Sequence, residues 1–228
     1  MSLKRFILPV CLALGLAALG WPASAQLQYH VNINTSGLNP ASTYYTEFTL
    51  SDGHVVNPGS PDSNNSVTLS NFTFGGGASG AVLPPLVGNA SGSTASSVLL
   101  ADGDAGGTAD QTQAFTPGSL LGFDVSMTTS ADAGPTPDIF TFYLLDSSLN
   151  PLPSNASGQT PNALLRADII GPSITLANVN TYNSTALPSS PAVTPAATPE
   201  PGALAFFVGV SLCGSLTALR RRRLANKR

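Results

Sequence analysis

The sequence contains few thiols, and their positions exclude whole classes of protein. Its two cysteines, Cys11 and Cys213, lie in the apolar runs near the two ends, so residues 26–198 between them have none. A disulfide scaffold and a cysteine-ligated zinc site are therefore excluded for this central body. An exported domain without disulfides depends on its hydrophobic core, and roughly 150 residues are enough to build one.

Positive charge is equally scarce in the body. Between residues 26 and 198 the only basic side chain is Arg166, against eleven acidic side chains, which gives a net charge of −10. Nucleic-acid binding depends on lysines and arginines that neutralise phosphates. We therefore expect no nucleic-acid partner.

The N-terminal end has the pattern of a secretion signal. Two basic residues precede an uncharged apolar stretch at 6–19, and Ala23 and Ala25 supply the small side chains that a signal peptidase recognises. This pattern predicts a signal peptide over residues 1–25, cleaved after Ala25. An uncleaved membrane anchor is the alternative, but the apolar run is short for a membrane span.

The C-terminal end combines three features in order. Pro199, Glu200 and Pro201 precede an uncharged run of 17 residues, 203–219, which four consecutive arginines follow. As a helix this run is roughly 25 Å long, near the lower limit for crossing a bilayer. A basic cluster stays on the cytoplasmic side, which places the preceding body outside. The membrane stop consists of Arg220, Arg221, Arg222 and Arg223, within a basic tail at 220–228.

This three-part tail, residues 199–228, resembles the PEP-CTERM sorting signal of exported bacterial proteins. The resemblance implies an exosortase, the membrane enzyme that processes such tails. It also implies transient anchoring in the inner membrane, transfer to the cell surface or extracellular matrix, and association with exopolysaccharide or biofilm material. A GPI signal lacks the arginine cluster, and a sortase signal needs an LPxTG-like motif, so neither fits.

The body between the two ends has the sequence pattern of an all-β domain. Apolar and polar residues alternate at 29–33 and 123–127, whereas 139–145 is apolar on both faces, which predicts a covered central strand. Further strands are predicted at 44–50, 66–74, 97–101, 163–170 and 174–182. About eight or nine short strands separated by turn residues favour an antiparallel β-sandwich of jelly-roll-like topology over residues 26–184.

Two further segments complete the predicted organisation. Residues 185–198 are rich in Pro, Ala, Ser and Thr and carry no charge, which predicts an extended stalk between the β domain and the membrane. Residues 69–77 and 123–153 resemble a domain of one group of PEP-CTERM proteins. That resemblance supports the domain boundaries and implies no activity.

Calcium is the ligand that the acidic residues suggest. Asp102 and Asp104, with Asp110 further along, offer oxygen ligands near glycines that let the backbone wrap around an ion. The third ligand position is Gly106, and the bidentate glutamate that ends an EF-hand loop is missing. The alternative is a solvated acidic loop without a bound ion.

Catalytic chemistry has little support in the sequence. Only His30 and His54 could act as histidine bases, and both are expected to be exposed without a partner. The GxSxG motif that presents a nucleophilic serine is absent. We therefore expect no enzyme, no catalytic residue and no organic cofactor.

The leading interpretation is an exported surface or matrix protein, processed by signal peptidase and exosortase and structural or associated with exopolysaccharide. A carbohydrate-binding module is one alternative, which needs exposed aromatic side chains. Tyr44, Tyr45, Tyr143 and Tyr182 are available, whereas Trp21 is lost with the signal peptide. The other alternative is a secreted hydrolase with two aspartates facing each other in a cleft.

Overall fold

A computed structural model of the chain describes residues 26–53, 64–103, 107–130 and 136–196. The predicted signal peptide, sorting motif, membrane helix and basic tail lie outside these residues, as do His54 and Asp104. Within the described ranges, no helix has the length and apolar character needed to cross a membrane.

The described residues are all-β, with one short 3₁₀ turn at Leu176–Asn178. The strands in chain order are β1 (Gln26–Asn34), β2 (Tyr44–Ser51), β3 (Ser66–Thr73), β4 (Ala78–Val82), β5 (Asn89–Gly92), β6 (Ser97–Ala101), β7 (Thr108–Thr116), β8 (Leu120–Thr128), β9 (Asp138–Leu145), β10 (Leu165–Ile169), β11 (Val179–Thr181) and β12 (Ala192–Pro195).

These strands form two antiparallel sheets of six strands each. Sheet A has the order β12-β1-β8-β3-β6-β5, and sheet B has the order β11-β10-β9-β2-β7-β4. Strands β1 to β4 alternate between the sheets, and so do β6 to β9, because the chain crosses from one sheet to the other between successive strands of each set. Residues far apart in sequence consequently become neighbours within each sheet.

The core forms because alternate side chains of the strands point inward. Phe48 of sheet B lies 5.4 Å, ring centre to ring centre, from Phe123 of sheet A and 5.2 Å from Phe142. All three side chains are fully buried, and they belong to one hydrophobic cluster with residues of both sheets. Each sheet therefore has one inner face in this core and one outer face.

Eight strand segments were predicted, and each contains one of the twelve strands, although the last also contains the 3₁₀ turn before the short β11. Strand β7 was missed because its inward residues include Gln111 and Gln113, which interrupt the apolar pattern. Both glutamines are buried, and Gln111 Nε2 donates to Gly92 O at 3.2 Å. Gln113 Nε2 donates to Gly80 O at 2.8 Å, and Gln113 Oε1 accepts from Thr94 N at 2.8 Å.

The predicted stalk at 185–198 needs a correction. Part of it, Ala192–Pro195, forms β12 and pairs with β1, with Thr194 opposite His30. Strand β1 would otherwise leave one edge of backbone N–H and C=O groups unpaired, and a short extended segment satisfies them. A proline is tolerated there because an edge strand does not need every ladder hydrogen bond.

Candidate functional site

The outer face of sheet A carries a paired histidine. His30 on β1 lies opposite Asp124 on β8, and His30 Nδ1 is 2.5 Å from Asp124 Oδ1. The two side chains are each 32% exposed. The expectation that His30 has no partner is therefore wrong. Sequence reasoning placed both residues on outward positions, but it could not pair strands that are 94 residues apart.

A β-bulge completes the surroundings of Asp124. The register of β3 against β8 shifts between Ser70 and Thr73, and Asn71 in this bulge has φ of 53°. Such a bulge re-aims side chains, and Asn71 Nδ2 donates to Asp124 Oδ2 at 2.7 Å. The hydrogen bond from Asn71, followed by that from His30, lowers the pKa of Asp124 below its usual value. Both carboxylate oxygens of Asp124 are thus engaged.

A glycine beside this pair lets other polar atoms come close to the sheet. Gly122 on β8 lies between Asn32 on β1 and Thr73 on β3. A Cβ atom at residue 122 would be 2.6 Å from Thr73 Oγ1, 3.1 Å from Asn32 Oδ1 and 3.6 Å from His30 Nε2. A side chain at this position would crowd the polar atoms that now converge there. We call these four residues, with Asp124 and Asn71, the His30 cluster.

The outer face of sheet B carries two carboxyl groups in contact. Glu47 on β2 and Asp110 on β7 occupy diagonal positions of one face, since Glu47 lies opposite Thr112 and Asp110 lies opposite Thr49. Burial, followed by the charge and hydrogen bond of Asp110, raises the pKa of Glu47 to about 7. Burial also raises the pKa of Asp110, against hydrogen bonds from Glu47 and the two threonines that lower it. This arrangement favours a shared proton.

Tyr143 borders this acid pair on the neighbouring strand. It lies opposite Glu47 in the register of β2 and β9. Burial raises its pKa, and the charges of Glu47 and Asp110 act in the same direction. The phenol therefore keeps its proton at neutral pH and is available as a hydrogen-bond donor.

The separation of the two acids does not match the usual glycosidase arrangements. Retaining enzymes keep their two carboxyl groups about 5–5.5 Å apart, and inverting enzymes keep them about 6.5–9.5 Å apart. A side-chain hydrogen bond with Asp110 contributes to the raised pKa of Glu47, which indicates a closer approach than either of these arrangements. The contact also joins a glutamate to an aspartate, whereas the hydrolase alternative required two aspartates.

The predicted calcium ligands have separate surroundings. Asp102 is buried at the end of β6, where its Oδ2 accepts a hydrogen bond from Asn65 N at 2.8 Å. Asp110 belongs to the acid pair on sheet B, and Asp104 lies outside the described residues. In the part of the chain that the structure describes, no three His, Cys, Asp or Glu side chains are grouped to hold a metal ion. A calcium site at Asp102 and Asp104 stays a prediction.

A buried hydrogen-bond network surrounds the end of the sheets at Asn65. Asn65 Nδ2 donates to Asp138 Oδ2 at 2.8 Å, and Asn65 Oδ1 accepts from Ser130 N at 2.9 Å. The other oxygen of Asp138 accepts from Gly53 N at 2.9 Å. The network links the chain after β2, before β3 and after β8 to the start of β9.

The four tyrosines available to a carbohydrate-binding surface, Tyr44, Tyr45, Tyr143 and Tyr182, are all half-buried. Tyr44 packs against Phe115, with ring centres 6.3 Å apart. Tyr143 stands beside the acid pair. Tyr45 and Tyr143 lie on one face of sheet B with Glu47, and the carbohydrate-binding alternative stays a prediction.

No protein-family model, curated protein or solved structure matches the chain.

Proposed function

We propose that this chain is an exported bacterial surface or matrix protein that an exosortase sorts through a PEP-CTERM tail. The observation that carries the proposal is the order of the tail: Pro199 to Pro201, the uncharged run 203–219, and the arginines at 220–223. The end of the β domain supports it. Strand β12 ends at Pro195, so residues 196–198 alone separate the last strand from the sorting motif.

We also propose that the two sheets form a jelly-roll-like sandwich. The order β1-β8-β3-β6 in one sheet and β2-β7-β4 in the other supports this topology, as does the repeated crossing between the sheets. The additional strands β9, β10 and β11 extend sheet B beyond β2. A rigid acidic module of this kind suits a structural role or an association with exopolysaccharide.

Release from the membrane must be covalent in this proposal. An apolar run of 17 residues cannot leave the bilayer unaided, because exposing it to water costs about 25 cal/mol per Å² of apolar surface. The cut or transfer takes place near Pro199, Glu200 and Pro201, at the outer boundary of the membrane. Prolines disfavour a helix, so we expect the backbone of this stretch to be accessible to an enzyme.

The test is to alter the motif and follow processing in the native host. Glu200→Ala, or deletion of residues 199–201, should leave export intact but trap a longer form in the membrane fraction. Thr198→Ala is the matched control outside the motif and should be processed normally. Intact-mass analysis of the wild-type surface protein decides the matter, since a mature species that still ends at Arg228 would contradict exosortase sorting.

A further inference from the structure

The His30 cluster holds its imidazole in one orientation. Nδ1 lies 2.5 Å from Asp124 Oδ1, and Asn71 fixes the other oxygen of Asp124 at 2.7 Å. With its proton on Nδ1, the neutral ring carries its lone pair on Nε2. Metal-binding histidines almost always donate the N–H of their other ring nitrogen to a carboxylate, a backbone carbonyl or water, and such a partner fixes the tautomer and raises the basicity of the free nitrogen.

The free nitrogen and two oxygen atoms border the space above Gly122. His30 Nε2, Asn32 Oδ1 and Thr73 Oγ1 all lie within 3.6 Å of the point that a Cβ of residue 122 would occupy. They come from two strands on either side of β8, and the bulge in β3 sets the position of Thr73. Within the described residues, no side-chain hydrogen bond uses these three atoms, so they are available to a ligand.

We propose that these three atoms form a binding site for a divalent transition-metal ion, with His30 Nε2 as its principal ligand. Imidazole nitrogen suits Zn²⁺, Cu²⁺ and Ni²⁺, whereas Ca²⁺ takes oxygen ligands alone. The amide and hydroxyl oxygens and water complete the coordination. The net charge of −10 between residues 26 and 198 raises the local concentration of cations near the domain.

The second histidine of the chain, His54, serves as an internal comparison for His30. Its only histidines are His30 and His54, so two-bond proton–nitrogen NMR spectra of the full chain in detergent show two imidazole rings. A purification tag without histidine keeps the spectrum this simple. Titration with Zn²⁺ at neutral pH should move Nε2 of His30 to its metal-bound position while Nδ1 keeps its proton. Ca²⁺ should leave the His30 ring unchanged.

Three variants distinguish the site from unspecific zinc binding. Asp124→Asn should weaken zinc binding at His30 about 10–100-fold, the usual effect of losing a carboxylate behind a metal-binding histidine. Thr73→Val should weaken it less, because a hydroxyl is a poorer ligand. His54→Gln is the matched control and should leave the His30 titration unchanged. Backbone amide spectra confirm that each variant is folded.

Several results would overturn the proposal. Zinc could leave His30 Nε2 unmoved at concentrations that shift His54, or Ca²⁺ could shift the His30 ring as much as Zn²⁺ does. Folded Asp124→Asn protein with unchanged zinc affinity at His30 would also contradict the role of the carboxylate.

Discussion

The outer faces of the two sheets place acidic residues in opposite electrostatic surroundings. On sheet A, Asp124 contacts His30 and Asn71, and its pKa is lowered. On sheet B, Glu47 contacts Asp110, and its pKa is raised to about 7. The composition alone indicates a strongly acidic domain and does not distinguish its two faces. The strand register decides that one face stabilises a carboxylate while the other stabilises a protonated carboxyl group.

The two faces therefore respond to pH in opposite directions. The folded pKa of Glu47 lies above its ordinary value of 4.5, so its contribution to the free energy of unfolding is fully present below that value and is lost as pH rises through about 7. The folded pKa of Asp124 lies below its ordinary value of 3.8. Its contribution is present above that value and is lost as pH falls through the lowered pKa.

The largest expected loss of stability comes from a substitution in the hydrophobic core between the two sheets. Phe48 of sheet B contacts Phe123 of sheet A and is fully buried. Phe48→Ala should lower the free energy of unfolding by about 3–5 kcal/mol, because it leaves a cavity between the sheets. Denaturant unfolding of the variant measures this loss.

The matched control for the core is an apolar residue on the surface. Leu99 on the outer face of sheet A is 42% exposed, so Leu99→Ala should change stability by about 0.5 kcal/mol or less. Equal losses for the two variants would contradict a single core between the sheets.

The second-largest expected change in stability comes from the acid pair on sheet B, Glu47 and Asp110. Glu47→Gln removes the negative charge beside Asp110 and keeps a hydrogen-bonding side chain. Above neutral pH the variant should be more stable than the wild type, by about 1–2 kcal/mol after allowing for solvent screening. Near pH 5 the difference should largely disappear, since Glu47 is then protonated.

Denaturant unfolding across this pH range measures the effect on Glu47. Tyr143→Phe is the control, because it removes the phenol beside Glu47 and keeps both acids. A wild-type profile that is as flat as that of Glu47→Gln would show that the two acids do not share a proton.

The strands that could be predicted are those whose inward positions are apolar. Alternation identified the segments of β1 and β8, and the continuous apolar run identified β9. Strand β7 was missed because Gln111 and Gln113 occupy two of its inward positions. Buried amides remain compatible with a core when they are hydrogen-bonded, but they remove the pattern on which the prediction depends.

The pairs on the outer faces could not be predicted because they depend on strand pairing. Asp110 was assigned to a calcium loop, since without β7 there was no strand to place it beside Glu47. His30 and Asp124 were both predicted to face outward, yet the neighbour of β1 in the sheet is β8, seven strands later in the chain. The bulge that turns Asn71 toward Asp124 has no sequence signal that we could identify.

The smallest expected change in stability comes from Asp124 on the outer face of sheet A. Asp124→Asn removes the charge that His30 Nδ1 contacts but keeps an oxygen that Asn71 can reach. Both members of the pair are 32% exposed, so the loss of stability at neutral pH should be about 0.5–1 kcal/mol. The loss should shrink as pH falls through the lowered pKa of Asp124, where the wild-type carboxylate takes up its proton.

Asp168→Asn is the control for this last prediction, since Asp168 forms an ion pair with Arg166 on the other sheet and its loss leaves His30 untouched. For both variants, denaturant unfolding measures the change in stability and the imidazole resonances of His30 report its tautomer. Asp124→Asn should change the tautomer of His30 with only this small loss of stability, because a neutral amide no longer holds the proton on Nδ1. Asp124→Asn could instead lower the free energy of unfolding by more than Glu47→Gln raises it. That result would show that the His30 cluster stabilises the sheet, and it would contradict the functional interpretation of this face.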